Sequence, residues 1–177
     1  MHTVTGLDTL VRTHRPGPHR GAAPSPATQE ERMGVLAELF AGTHAEALAR
    51  ADVLESGAVP PPAPHLELTT VTPVDLEVLG EIAARAVQFG VGDLEIAEID
   101  LEHESLFRLP PFLCEVLTEL GRSEDPETLG EVAEQWAASE EMGVPGEDLT
   151  HVVQGVVDLV TEAGEAGQDV YLWVEAV

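Results

Sequence analysis

The chain has 177 residues, of which 44% are hydrophobic, and this is enough for one domain with its own apolar core. It carries 33 Asp and Glu residues against eight Arg and no Lys, which gives a formal net charge of -25 at pH 7. Such a charge repels nucleic-acid phosphates and anionic lipid surfaces, so the composition argues against direct binding to either.

Residues 1–32 differ in character from the rest of the chain. They hold four of the eight Arg but only three of the 33 acids, and their prolines and glycines follow no apolar periodicity. We predict a disordered leader over residues 1–32 and a single acidic domain over residues 33–177. A recruiting role for this basic leader is an alternative function for the segment.

The first half of the domain is predicted to alternate strands and helices. The apolar run at 35–40 predicts a strand, and the alanine-rich segment at 44–54 predicts a helix with Thr43 as its N-cap. A proline-rich connector then leads to a second alternating strand at 65–70. The segment 72–75, Thr-Pro-Val-Asp, is typical of a capped helix start.

The most informative pattern is an alternation of acids, which we name the acidic row. On a β-strand its four carboxylates would share one face, with Ile99 and Leu101 on the other. Neighbouring acids about 6.5–7 Å apart repel each other by about 0.5–1 kcal/mol, and a basic partner would relieve this cost. We therefore interpret the row as a candidate partner-binding surface, with a solvated sheet face as the alternative. Its members are Glu98, Asp100, Glu102 and Glu104.

The alternation of apolar and polar residues changes phase within the segment that contains the acidic row. Leu94 and Ile96 alternate in one phase, and Ile99 and Leu101 alternate in the other. We therefore expect either a bulge near Ala97 or a break in the strand.

The second half of the domain is predicted to be mainly helical. One helix follows Pro110-Pro111 and ends at Gly121, and another begins after Asp125-Pro126 and carries Trp136. Pro145 is predicted to open a last long helix that ends near 164–167. The aromatic and β-branched run at 169–174 predicts a central strand.

Together these elements predict an α+β fold. The expected architecture is a small, mainly antiparallel sheet whose N- and C-terminal strands pair, packed against about four to five helices. Trp136 and Trp173 both fall where the pattern predicts burial, so we expect them to anchor the core.

The sequence contains no strong catalytic or metal-binding motif. His103 lies between two glutamates, but neighbours on a strand point to opposite faces, and no two-His helical spacing occurs; His44, His65 and His151 lie elsewhere. No glycine-rich phosphate loop, serine elbow or paired-cysteine motif is present. We therefore assign no catalytic residue, no metal ligand and no cofactor.

The single cysteine and the N-terminus bear on the cellular compartment. Cys114 has no partner for an internal disulfide, and its apolar helical neighbours predict a buried, unreactive thiol. The N-terminus has no apolar stretch of signal-peptide length, and no convincing membrane span is found. These features favour a cytoplasmic protein.

Two segments carry a resemblance. The run Gly164–Trp173, a helix end followed by an aromatic strand, and the helical segment Val132–Ala137 resemble small uncharacterised actinobacterial α+β proteins. The chain is also similar to α+β proteins that serve as immunity partners of bacterial toxins. The resemblance covers at most residues 33–177, and the proline-rich leader departs from it. It implies an acidic neutraliser of a basic toxic enzyme and carries over no functional residue.

The sequence thus predicts a non-enzymatic intracellular binding protein whose acidic face engages and neutralises a basic protein. The partner would be a nuclease-like toxin or another nucleic-acid-binding protein. The alternative is a small-ligand-binding protein or enzyme with a pocket between the sheet and the helices around Trp136.

Overall fold

The computed structural model describes residues 36–99 and 103–175, so the predicted leader lies outside the described residues. Within these ranges the chain forms five strands and five helices. In chain order they are β1 (Leu36–Gly42), α1 (His44–Glu55), β2 (His65–Thr69), α2 (Pro73–Val87), β3 (Ala97–Glu98), β4 (Leu106–Arg108), α3 (Pro111–Gly121), α4 (Glu127–Ala137), α5 (Thr150–Ala166) and β5 (Asp169–Val174).

The five strands make one antiparallel sheet in the order β2-β1-β5-β4-β3. The N-terminal strand β1 pairs with the C-terminal strand β5, with Leu39 opposite Leu172 and Phe40 opposite Tyr171. Strand β5 is central, as its aromatic and β-branched content predicted. The α+β fold and the pairing of the terminal strands are therefore confirmed.

The sheet is covered on both faces, but unequally. Leu39 and Leu172 face a large apolar core to which α2, α3, α4 and α5 all contribute. Phe40 and Tyr171, one residue along each strand, face a smaller core with Ala47 and Ala51 on α1. This division follows from the two-residue period of strand side chains.

Two helices begin with complete capping boxes, as predicted. The hydroxyl of Thr43 accepts from the backbone N–H of Glu46, and the Glu46 carboxylate accepts from the Thr43 N–H at 2.8 Å. Thr72 and Asp75 form the same box at the start of α2, with Pro73 in the first turn. These reciprocal bonds fix where both helices start.

The acidic row does not form one strand. Strand β3 ends at Glu98, and Glu104 lies in a turn closed by the Leu106 N–H donating to the His103 carbonyl at 3.0 Å. The chain then enters β4, which the sequence analysis did not predict. Of the two alternatives that the change of phase predicts, the structure has the break in the strand. Leu106 is fully buried opposite Trp173, and this tertiary burial outweighs the local alternation.

The start of the last helix was also predicted wrongly. Helix α5 begins at Thr150, five residues after Pro145. Gly146 has a φ of +88°, a left-handed conformation that no helical residue adopts. Leu149 is the N-cap, and Asp148 before it accepts from the Thr150 backbone N–H at 3.0 Å in the turn that leads into the helix. The predicted end is confirmed, because Gly167 ends the helix at a φ of +68°.

Candidate functional site

The predicted partner-binding residues are only partly placed by the structure. Glu98 and Glu104 are exposed and belong to the two sides of the β3–β4 hairpin. Asp100 and Glu102 lie outside the described residues. Ile99 faces the smaller core, where it packs with Trp173 and Leu106. The use of the acidic row as a docking surface stays a prediction. Its two described members lie on the β3–β4 hairpin.

Helix α1 brings two more carboxylates to this hairpin. Glu55 Oε1 lies 3.3 Å from His103 Nδ1, and Asp52 Oδ1 lies 3.7 Å from His103 Nε2. The His103 side chain is only 13% exposed, whereas that of Asp52 is 70% exposed. Forty-eight positions separate Glu55 from His103 in the chain, so local spacing carried no signal of this cluster. Its members come together because α1 crosses the sheet face on which Ile99 packs.

The arginines of the described residues are all engaged within the fold. Arg50 is buried and donates to Glu38, also buried, and to the Pro61 carbonyl at 2.8 Å. Each remaining arginine also bonds or pairs with a group of its own chain. Arg108 pairs with Asp169 at 2.8 Å, Arg122 with Glu119 at 3.8 Å, and Arg85 Nε donates to the Glu81 carbonyl at 3.2 Å.

Exposed carboxylates continue along the helices of the larger layer. On α4 and on α5 three acids recur at intervals of four and three residues, which places them on one side of each helix. All of them are exposed. They are Glu127, Glu131 and Glu134 on α4, and Asp158, Glu162 and Glu165 on α5. The negative surface of the protein is therefore not confined to the acidic row.

The two tryptophans are buried, as predicted, but their indole N–H groups differ. Trp136 is fully buried, and its Nε1 donates to the Asp75 carbonyl at 2.8 Å. Trp173 is 5% exposed, and its buried Nε1 has no hydrogen-bond partner among the described residues. Since Trp136 is sealed in the larger core, it does not line an open ligand pocket.

Cys114 lies on α3 beside a cleft of about 390 Å³ between α3 and α5. Burial raises the pKa of its thiol to about 11, with a further contribution from the negative charge of Asp169. The thiol is therefore protonated at neutral pH, which is unsuited to a nucleophile. Cys114 is partly buried and not fully buried as predicted, while its raised pKa agrees with the predicted unreactive thiol.

A second groove, of about 430 Å³, lies between α1 and the proline-rich connector. The groove is lined by Phe40, Val53 and Pro62, and also by the buried Arg50. The guanidinium carbon of Arg50 stands 5.2 Å from the centroid of the Phe40 ring. The groove thus combines apolar walls with one buried guanidinium group, that of Arg50.

Comparisons of the chain with protein-family models, with curated proteins and with solved structures found no match in any of the three. Among the described residues, none of the helices is both long and apolar enough to cross a lipid bilayer.

Proposed function

We propose that this chain is a non-enzymatic binding protein of the cytoplasm whose acidic surface engages and neutralises a basic protein, in the manner of an immunity protein or inhibitor. One observation carries the proposal. Every arginine of the described residues already bonds to its own chain, while exposed carboxylates line the hairpin and the helices. A basic partner would supply the positive charge that the fold lacks.

The acidic row is the proposed centre of the docking surface. Glu98 and Glu104 stand exposed on one hairpin, and Asp52 on α1 adds a carboxylate beside it. Clustered charge of one sign steers an oppositely charged partner and raises the association rate by about 10- to 1000-fold at low salt. A nuclease-like toxin or another nucleic-acid-binding protein is the proposed partner, because proteins that bind nucleic-acid phosphates present basic surfaces.

The cytoplasmic assignment rests on the thiol chemistry. The single Cys114 is partly buried, its raised pKa leaves little reactive thiolate at neutral pH, and the chain contains no second cysteine for a disulfide. Proteins of oxidising compartments more often use paired cysteines.

The test begins with recovery of the partner from the native host on immobilised protein, with elution by a salt gradient. The purified partner is then used to measure association rates with a fourfold variant, Glu98→Gln, Asp100→Asn, Glu102→Gln and Glu104→Gln. We expect the rate to fall about tenfold at low salt and the salt dependence to flatten.

The matched control removes four charges elsewhere, at Glu131, Glu134, Glu162 and Glu165 on α4 and α5. A smaller loss in this control would place the docking surface at the hairpin. Equal losses in the two variants would mean that net charge alone attracts the partner, and the acidic row would have no special role. An unchanged rate in both would contradict the whole proposal.

A small-ligand-binding function is the second candidate, and the groove beside α1 favours it. Its volume of about 430 Å³ lies in the range of ligand sites, and its apolar walls surround a buried charged group. Native mass spectrometry of protein purified from the host tests this candidate. A stoichiometric small molecule that is lost on Val53→Trp, a change that fills the groove, would support it.

A further inference from the structure

We propose that Asp52, Glu55 and His103 form a binding site for one divalent transition-metal ion, for which Zn²⁺ is the best match. Within the described residues they are the group of metal-ligating side chains that comes together, with one potential ligand atom from each lying within 4.8 Å of the others. This proposal does not depend on the docking function.

The three side chains are close enough for one ion to reach all of them, because one potential ligand atom from each lies within 4.8 Å of the others. The two carboxylates contact different ring nitrogens: Glu55 Oε1 lies 3.3 Å from His103 Nδ1, and Asp52 Oδ1 lies 3.7 Å from His103 Nε2. An imidazole binds an ion through one nitrogen, and tetrahedral zinc with bonds of about 2.0–2.2 Å holds its ligand atoms roughly 3.3–3.6 Å apart. Rotation of the exposed Asp52 and Glu55 side chains would bring both carboxylates toward the same nitrogen, and a water molecule would complete the coordination.

The placement of the ligands also favours a metal ion. Asp52 and Glu55 lie three residues apart on α1 and therefore on the same side of the helix. His103 is 13% exposed, so its ring is held largely inside the fold, whereas the carboxylates reach solvent. An ion could enter from solvent and would join α1 to the β3–β4 hairpin. The mixed nitrogen and oxygen ligands favour zinc over Mg²⁺ or Ca²⁺, which prefer oxygen ligands.

Competition between the full chain and a chromophoric chelator for Zn²⁺, in excess Mg²⁺, tests the site. We expect one site that Mg²⁺ does not displace. The affinity of this site should fall by at least about 100-fold in His103→Gln, because that change removes a direct ligand. His151→Gln, at an exposed position on α5, should retain the site. The leader histidines are present in every variant and so cancel from the comparison.

A second variant keeps the test decisive if His103→Gln fails to fold. Asp52→Asn with Glu55→Gln changes two solvent-reaching side chains and should abolish the same site. Its matched control is Glu162→Gln with Glu165→Gln, which neutralises two exposed acids at the same spacing on α5. Equal zinc affinity in the two double variants would overturn the proposal. Absence of any Mg²⁺-resistant site in the unmodified chain would overturn it as well.

Discussion

The two faces of the sheet are buried in different ways. The face under α2 to α5 has an almost wholly apolar core, in which the buried Trp136 N–H reaches the Asp75 carbonyl. The face under α1 buries the Glu38–Arg50 ion pair, and in the part of the chain that the structure describes no group accepts a hydrogen bond from the Trp173 N–H. The same five strands therefore support two different cores. In the larger core the buried indole N–H is hydrogen-bonded, whereas in the smaller core the buried polar groups lower the free energy gained on folding.

The difference follows from how much helix covers each face. Four helices supply enough aliphatic side chains to fill the larger core. A single helix cannot span five strands, so large side chains fill the space instead: Phe40 stacks on Tyr171 at 5.9 Å between ring centroids, and Arg50 lies over the Phe40 ring. Two candidate sites lie on the α1 side. They are the Asp52–Glu55–His103 side chains, which we propose bind a metal ion, and the apolar groove.

The largest expected effect is on the four-helix side. Replacing Trp136 by Ala should lower the free energy of unfolding by about 3–5 kcal/mol, because it opens a cavity in a fully buried position. Urea denaturation at constant m-value measures this loss. Trp173→Ala is the matched change under α1 and should cost less, since its N–H donates to no group within the described residues. A larger loss at Trp173 would contradict the contrast between the two faces.

The next effect tests the buried ion pair under α1. Arg50→Met should destabilise the protein by about 3 kcal/mol, because it leaves the Glu38 carboxylate buried without its partner. The double variant Arg50→Met with Glu38→Leu should recover most of that loss, since an apolar pair of similar size needs no compensating charge. Chemical denaturation of both variants gives the two values. A double variant as unstable as the single one would mean that the pair itself stabilises this face.

The sharpest comparison replaces each tryptophan by phenylalanine. Trp136→Phe leaves the buried Asp75 carbonyl without its indole donor and should cost about 1–2 kcal/mol in addition to the packing change. Trp173→Phe removes an N–H that has no recorded partner, so we expect a change within about 1 kcal/mol of zero. Thermal and urea unfolding of the two variants measure both changes in the free energy of unfolding. Equal losses would indicate that the Trp173 N–H is satisfied in solution, for example by water.

Much of the fold could be predicted because its signals are local. The capping residues at Thr43 and Thr72, the glycine stop at Gly167 and the aromatic strand from Asp169 to Val174 each act through neighbouring residues. The pairing of β1 with β5 followed from chain order and composition. None of these predictions requires knowledge of a long-range contact.

The candidate site was less accessible from sequence because its contacts are long-range. Strand β4 has only three residues and owes its conformation to pairing with β5, while its own sequence gave no usable alternation. His103 meets Asp52 and Glu55 only after α1 packs across the sheet. Glu55 and His103 are 48 positions apart in the chain, so no local spacing identifies them as neighbours.

The smallest expected effect compares the two capping boxes. Thr72→Ala, at the partly buried box under the four-helix layer, should cost about 1–2 kcal/mol, and Thr43→Ala, at the exposed box on α1, about 0.5–1 kcal/mol. Denaturation at neutral pH measures both. A reversed order would mean that the box on α1 is the more important one and that the α1 face is not the weaker side of the sheet.

The exposed box also has a pH signature. The pKa of Glu46 lies below its ordinary value of 4.5, first because its carboxylate accepts the Thr43 backbone N–H and second because it accepts the Thr43 hydroxyl. A lowered native pKa means that the contribution of the carboxylate is complete above pH 4.5 and is lost as the pH falls through the native pKa. The stability difference between the unmodified chain and Thr43→Ala should therefore shrink in acid, and a carboxyl NMR titration should find the Glu46 pKa closer to 4.5 in the variant. A difference that stays constant down to the native pKa would show that the hydroxyl caps α1 without the help of Glu46.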